Sequence, residues 1–303
     1  MLSNSAGWSN TRIDRINTHV IARRGEEVLD ELSSRGVRVP PNNRLSRAIK
    51  FIDAINDAPD LISPNDPATN ETFLESLRTL IDSLMVVWCL RERPRRVNPF
   101  PADRLQMLLE GADLASADTN TRPRDIQFEL SVGSFFIMGG ADIRPVEPDY
   151  DLLFHMERLG IAVKRLSSIK PARVLQRLRK ATRQIETSTG TGFVAMNLDS
   201  WINDLGADNV EGVGEQFNAQ LQDAHREIAK VSGRDALRGV LVLANWSQWS
   251  FDGPKPQIEY RNPTQFIPFG DPEDENVAQC LDFMDGVRAR FDASLGEISR
   301  LMY

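Results

Sequence analysis

The sequence predicts a mixed α/β protein in which an N-terminal helical region precedes an α/β domain. Apolar residues recur at intervals of three and four over residues 11–115, which is the period of amphipathic helices. After the polar stretch 116–123, short β-branched segments bounded by Gly or Pro alternate with helical stretches. We therefore predict a helical region over residues 1–118 and a second domain over residues 119–303, with a mixed β-sheet flanked by helices.

The N-terminal region is predicted to contain four helices. Each is amphipathic, and each ends at a Gly, a Pro or a turn-rich polar stretch. The predicted ranges are 11–36, 44–58, 73–93 and 102–115. Such helices form a bundle that either packs on the second domain or precedes it.

The second domain is predicted to begin with a helix over residues 124–140 and to continue with five strands. The first three strands follow one another through short links, which is typical of antiparallel neighbours, whereas helical crossovers join parallel ones. The predicted strands are 141–147, 150–156, 160–167, 192–200 and 239–248. The predicted helices among and after them are 171–187, 213–233 and 276–303.

Composition bounds the class of protein. Of the 303 residues, 41% are hydrophobic and 26% charged, and no apolar run reaches the roughly 18 residues that cross a bilayer. The N-terminus lacks the apolar core of a secretory signal, and Cys89 and Cys280 lie in apolar contexts that are typical of free core thiols. The sequence therefore predicts a cytoplasmic protein that does not engage a membrane.

The charge is unevenly distributed along the chain. A net charge of −7 argues against a general nucleic-acid coat, but it allows a local basic groove. The stretch from Lys164 to Arg183 is basic, whereas residues 271–276 are acidic.

Acidic side chains and one lysine are predicted to meet in the sheet. Asp149 and Asp151 open the second strand, and Lys164 lies near the end of the third. Glu129 lies on the helix that precedes the first strand. Because strand residues alternate between faces, Ala162 and Lys164 share a face. Converging carboxylates bind a hard divalent cation, and a neighbouring ammonium activates water and offsets developing phosphate charge, as phosphodiester hydrolysis requires.

The segment EPDYD (147–151), followed by AVK (162–164) and RLSS (165–168), resembles the PD-(D/E)XK nuclease superfamily. The resemblance covers residues 120–200. It implies a restriction-endonuclease-like fold, with a metal-dependent nuclease core of helix, three strands, helix and strand.

The resemblance implies a role for each matching residue. Glu129 is the helix carboxylate, Asp149 is the aspartate of the PD element, and Lys164 is the final lysine. Gln184 matches a glutamine often found on the helix after the lysine. The implied cofactor is Mg²⁺ or Mn²⁺, held by Glu129, Asp149 and Asp151. Which of the two aspartates faces the metal stays open, because a one-residue change of register exchanges them.

The sequence departs from the family pattern at Ala162, where the resemblance implies Asp or Glu. Alanine has no metal-binding atom in its side chain. Either the other carboxylates supply the missing oxygen, or metal binding is weak, or catalysis is lost.

The helix after the lysine carries a basic row. Its members recur at intervals of four, three and four, so they line one face, while an apolar stripe beside them faces the sheet. The row consists of Arg173, Arg177, Lys180 and Gln184. Together with Arg165, it is suited to follow a phosphate backbone, and a solvated helix face is the alternative.

The expected function is therefore metal-dependent cleavage of nucleic acid, with DNA as the expected substrate. One alternative is a catalytically inactive module of the same fold that binds nucleic acid or a protein. Another is an interaction protein unrelated to nucleases. A homodimer is compatible with each of them, and the sequence leaves the strand form of the nucleic acid open.

Overall fold

A computed structural model describes residues 9–13, 16–58, 67–92, 99–114, 117–166, 170–197, 210–228, 236–250, 257–270 and 273–302. These residues form a mixed α/β protein with N-terminal helices and a mixed sheet, so the predicted fold class is confirmed. The restriction-endonuclease-like assignment within that class stays a prediction. No described helix is both long and apolar enough to cross a membrane.

Contacts within the chain divide it into two units. The helical unit consists of Arg12–Ser134, Asn245–Arg261 and Asp292–Tyr303. The sheet unit consists of Met1–Thr11, Phe135–Ala244 and Asn262–Phe291. The predicted boundary at residue 118 does not coincide with this division, because part of the predicted second domain packs with the N-terminal helices.

Three helices form the core of the helical unit: α1 (Thr18–Ser34), α2 (Arg44–Asp57) and α3 (Pro67–Glu92). They pack against one another and bury apolar side chains such as Ile21 and Leu80. The short helix α4 (Ala102–Gln106), a 3₁₀ turn (Met107–Leu109) and α5 (Arg122–Met138) follow.

Helix α1 begins seven residues later than the sequence pattern predicts. The Asn17 side chain caps it by accepting hydrogen bonds from the backbone N–H groups of His19 and Val20. The residues before this cap form a strand, β1 (Ser9–Ile13), instead of another helical turn.

A buried ion cluster fixes the start of α5 to the helical unit. Arg44 donates to Glu75 at 3.1 Å, and Arg124 pairs with Glu75 and, at 2.6 Å, with Asp118. Burial by itself raises the pKa of Glu75, but Arg78, Arg44 and Arg124 outweigh this effect and leave its pKa below the usual value. The carboxylate therefore remains ionised among its arginines, and the α5 start stays with α2 and α3.

Five described strands lie within the sheet unit: β2 (Ile143–Arg144), β3 (Tyr150–Phe154), β4 (Glu157–Lys164), β5 (Gly192–Asn197) and β6 (Leu237–Leu243). Strand β7 (Trp246–Ser250) belongs to the helical unit, and β8 (Gln257–Pro268) has residues in both units. The order of the described strands is β1-β8-β6-β5-β4-β3-β2, and β7 also pairs with β8. Pairing is parallel from β4 to β5 and from β5 to β6. It is antiparallel from β2 to β3, β3 to β4, β6 to β8 and β7 to β8.

The last part of the sheet differs from the prediction. The predicted strand 239–248 is two strands, because β6 ends at Leu243 and β7 begins at Trp246. Strand β8 was not predicted, since its polar residues and Pro263 are unusual in a sheet interior.

Helices connect the parallel strands as predicted. Helix α6 (Pro171–Ser188) joins β4 to β5, and α7 (Val210–Ile228) lies between β5 and β6 in the chain. Helix α6 packs on β4 and β5 and buries the predicted apolar stripe, which includes Val174, Leu178 and Ile185. The C-terminal helix is α8 (Glu275–Arg300).

Strands β4 and β5 approach closely where Gly160 pairs with Gly192. A Cβ atom on Gly192 would collide with the backbone of Gly160. Glycine is therefore required at this position, and the strand pair that carries Lys164 depends on it.

We predict that Gly192→Ala destabilises the protein by about 1–3 kcal/mol, because the added methyl group forces the two strands apart. Gly296, in α8, has no atom within 4 Å of an added Cβ. Gly296→Ala is the matched control, and we expect it to stabilise the protein by about 0.5–1 kcal/mol through its higher helix propensity. Urea unfolding of both variants measures the two changes, and equal effects would contradict the close approach of the strands.

Candidate functional site

The sheet unit brings Asp149 and Lys164 together. Asp149 immediately precedes β3, and Lys164 is the last residue of β4. The antiparallel register, in which Tyr150 pairs with Ile161, places Asp149 beside the end of β4. The Lys164 Nζ and Asp149 Oδ2 atoms are 3.3 Å apart, and both side chains are nearly buried, with 10% and 12% exposure.

The Lys164 ammonium group lies between two oxygen atoms. It donates to Asp149 Oδ2 at 3.3 Å and to its neighbouring backbone carbonyl, Val163 O, at 2.8 Å. The same Asp149 oxygen also accepts the Val163 N–H at 2.7 Å. The positive charge of Lys164 is therefore compensated by the negative charge of Asp149, and the ammonium group bridges this carboxylate and the Val163 carbonyl.

The surroundings of Lys164 oppose its positive charge. Burial is the largest influence and lowers its pKa, Asp149 raises it, and the nearby cations Lys180 and Arg177 lower it again. The net result is a pKa below the ordinary value. Two members of the α6 row, Lys180 and Arg177, thus act on the charge of Lys164.

Asp151 has different partners. It lies within β3, is almost fully buried, and forms a two-point ion pair with Arg144 at 3.0 and 2.5 Å. Arg158 donates to it at 3.0 Å. The sequence left open which aspartate accompanies Lys164, and the structure places Asp149 there and Asp151 among the arginines.

Glu129 belongs to the helical unit, on α5. Its carboxylate forms an ion pair with Arg104 of α4. Within its own unit, Glu129 is thus part of the packing between two helices.

The remaining candidates lie on or before α6. Arg173, Arg177 and Lys180 are exposed on this helix, as the predicted row requires. Gln184 is half-buried, and its Oε1 atom is buried without a hydrogen-bond partner among the described residues. Arg165 follows directly after β4.

The donor set beside Lys164 does not fit a divalent metal ion. Mg²⁺ and Mn²⁺ prefer oxygen ligands, usually from one or two carboxylates with waters and phosphate. Here Asp149 is already ion-paired, Ala162 contributes no ligand, and Asp151 is taken up by two arginines. No group of three or more His, Cys, Asp or Glu side chains suited to a metal occurs in the part of the chain that the structure describes.

Comparison with models of protein families, with curated proteins and with solved structures finds no match to this chain.

Sequence reasoning missed the arginine partners of Asp151. Arg144 and Asp151 are opposite each other in the β2–β3 register, and Arg158 precedes the position paired with Leu152. Because side chains alternate between the two faces of β3 and β4, residues that share a face are candidate cross-strand partners. Which of them are opposite each other depends on the hairpin register, which the sequence does not give.

We predict that Asp149→Asn lowers the pKa of Lys164 further, because it removes the group that raises this pKa. Burial of the charged Lys164 ammonium lowers the stability of the folded state, and this loss is fully present at neutral pH. It is relieved as the pH rises through the lowered pKa of Lys164 towards 10.5, the ordinary pKa of lysine. In Asp149→Asn this relief begins at a lower pH.

The chain has six lysines, so NMR titration of the lysine Nζ signals measures the effect directly. A Lys164→Arg sample identifies the relevant signal, and the exposed Lys50 of the helical unit is the internal control. An identical Lys164 titration in both proteins would show that Asp149 does not act on it.

Proposed function

We propose that this protein binds the phosphodiester backbone of nucleic acid, and we take DNA as the polymer. The observation that carries the proposal is the exposed row Arg173, Arg177 and Lys180 on α6, close to Lys164. Residues 158–185 contain nine Lys or Arg and no Asp or Glu. Among the described residues, no carboxylate forms an ion pair with any member of the row.

This lack of counter-charges distinguishes the row from several arginines of the helical unit. On the helical unit, Arg24, Arg35 and Arg91 each pair with a glutamate. A cation that already has a carboxylate partner gains little binding free energy from contact with a phosphate. A cation without such a partner displaces a condensed counterion from the polymer, and this release favours binding. Local charge therefore supports binding, although the whole chain carries a net charge of −7.

Lys164 lies at the end of β4, with 10% of its side chain exposed. A phosphate oxygen beside this ammonium would stabilise its charged form and so offset the effect of burial on its pKa. Asp149 limits this attraction, since it already compensates the ammonium. We assign Lys164 a supporting role in holding the backbone, with Arg165 next to it in the chain.

A metal-dependent nuclease is the second candidate, and the Asp149–Lys164 pair favours it. The pair has the residue types and the strand positions that the PD-(D/E)XK resemblance implies. In that proposal Glu129, Asp149 and Asp151 hold Mg²⁺ or Mn²⁺, and Gln184 positions the substrate. The donor set described above does not fit the metal, so we derive no catalytic step.

We predict that the double variant Arg173→Ala, Arg177→Ala binds a short DNA duplex at least tenfold more weakly at low salt. The slope of log affinity against log salt concentration should fall by about 1.8, which corresponds to two lost phosphate contacts on duplex DNA. Fluorescence anisotropy over a salt series measures both quantities.

The matched control is Arg23→Ala, Arg38→Ala, which removes the same charge from exposed positions of the helical unit. Equal losses in the two double variants would mean that only net charge matters, and the proposed row would be rejected.

We predict no DNA cleavage by the wild-type protein in Mn²⁺ above that of a Lys164→Ala variant. The reason is that one ion-paired carboxylate is too small a donor set for the metal. Single-stranded, duplex and nicked DNA should be incubated with each protein and resolved on a denaturing gel. Cleavage that requires both Mn²⁺ and Lys164 would establish the nuclease and overturn the binding-only proposal.

A further inference from the structure

Helix α6 forms one wall of a groove that adjoins the row beside Lys164, and Lys180 and Gln184 belong to both. The groove has a volume of about 850 Å³, and its described lining residues lie on α6, from Ala172 to Thr187, and at Ile228, the last residue of α7. Spacings of three and four place Ala172, Leu175, Arg179 and Arg183 on one stripe, which is opposite the buried stripe of Val174, Leu178 and Ile185. The groove therefore follows the outer face of the helix.

The groove is elongated. Lining residues that extend from Ala172 to Thr187 on one helix span about 22 Å, at 1.5 Å per residue. A site of this length is suited to a chain molecule that lies along the helix, whereas a single small ligand would occupy only part of it.

The groove is rich in positive charge. Arg179, Lys180 and Arg183 line it, and the single carboxylate of α6, Glu186, is not among the described lining residues. Arg179, Lys180 and Arg183 are exposed, and none of them has an ion-pair partner within the described parts of the chain. Cβ atoms four residues apart on a helix are about 5–6 Å from each other. Arg179 and Arg183 therefore place two positive charges at regular spacing, as a polymer with regularly spaced negative charges requires.

The same groove also has apolar walls. Leu175 lies on the groove side of α6, and Ile228 contributes from α7. In a duplex the bases are stacked and paired in the interior, so apolar walls next to cations favour a strand whose bases are free.

We infer that this groove binds a short single-stranded segment of nucleic acid. Arg179, Lys180 and Arg183 contact its phosphates, and Leu175 contacts its bases or sugars. The inference rests on the proposed function, because it takes nucleic acid as the polymer, and it adds the strand form and a second contact surface on α6.

The test compares Arg179→Ala, Arg183→Ala with the wild-type protein and with the charge-matched Arg23→Ala, Arg38→Ala. All substitutions lie at exposed positions, and alanine is the best helix former, so α6 remains folded in the first variant. Circular dichroism checks this. The probes are a labelled oligothymidylate and a duplex of equal length, measured by anisotropy over a salt series.

We expect the groove variant to bind the oligothymidylate at least tenfold more weakly than the wild type, with a salt slope lower by about 1.4 for two lost contacts on a single strand. Its loss on the duplex should be smaller. The charge-matched variant should stay within twofold of the wild type on the single strand.

Three outcomes would overturn the inference. One is an oligothymidylate affinity that is equal in the groove variant and the charge-matched variant. Another is a loss by the groove variant that is as large on the duplex as on the single strand. The third is displacement of the oligothymidylate by polyglutamate at equal charge concentration as effectively as by unlabelled strand, which would make the groove a site for any polyanion.

The proposed function is separable from this inference. Duplex binding that depends on Arg173 and Arg177, without single-strand binding through Arg179 and Arg183, rejects the groove alone. Single-strand binding through the groove, without duplex binding through the row, rejects the row alone. Binding of neither probe by the wild-type protein at low salt rejects both.

Discussion

The parallel pairing of β4 with β5 is the constraint on which the candidate surfaces depend. Parallel neighbours cannot be joined by a tight turn, so the chain must leave the end of β4, cross over the sheet as a helix and return to the start of β5. That crossover is α6. It buries one stripe against the sheet and leaves the opposite stripe exposed, and it begins only a few residues after Lys164. The Gly160–Gly192 approach, which lets the strands pair, therefore also sets the position of the basic surfaces.

Two groups of charged side chains in the described residues differ in their partners. Buried carboxylates such as Glu75 and Asp151 each form ion pairs with more than one arginine, so their negative charge is neutralised inside the fold. The cations on the outside of α6 have no such partners. Breaking a buried pair leaves an uncompensated charge, so the buried pairs support structure. The exposed cations of α6 are the ones to which we assign the proposed phosphate binding.

The sequence was most informative where structure depends on near neighbours along the chain. The period of α6, the strand character of β3 and β4, and the proximity of Asp149 to Lys164 all follow from local patterns and short turns. It was least informative where distant segments decide the outcome. Strand β8 is stabilised by partners that its own polar residues do not indicate, and the start of α5 is held by Arg44 and Glu75 from other helices. The partners of Asp151 likewise follow only from the hairpin register, which the sequence left open.

Ala162 changes the electrostatic balance at the end of β4. A second carboxylate at this position would leave two negative charges facing one ammonium, and the excess would attract a divalent cation. With alanine, one ammonium faces one carboxylate, and Lys164 occupies the space between Asp149 Oδ2 and Val163 O. The pair is then close to neutral, and Lys180 and Arg177 of α6 also act on the ammonium. A strand end without this excess negative charge attracts a metal ion less strongly, which is our reason for proposing backbone binding in preference to cleavage.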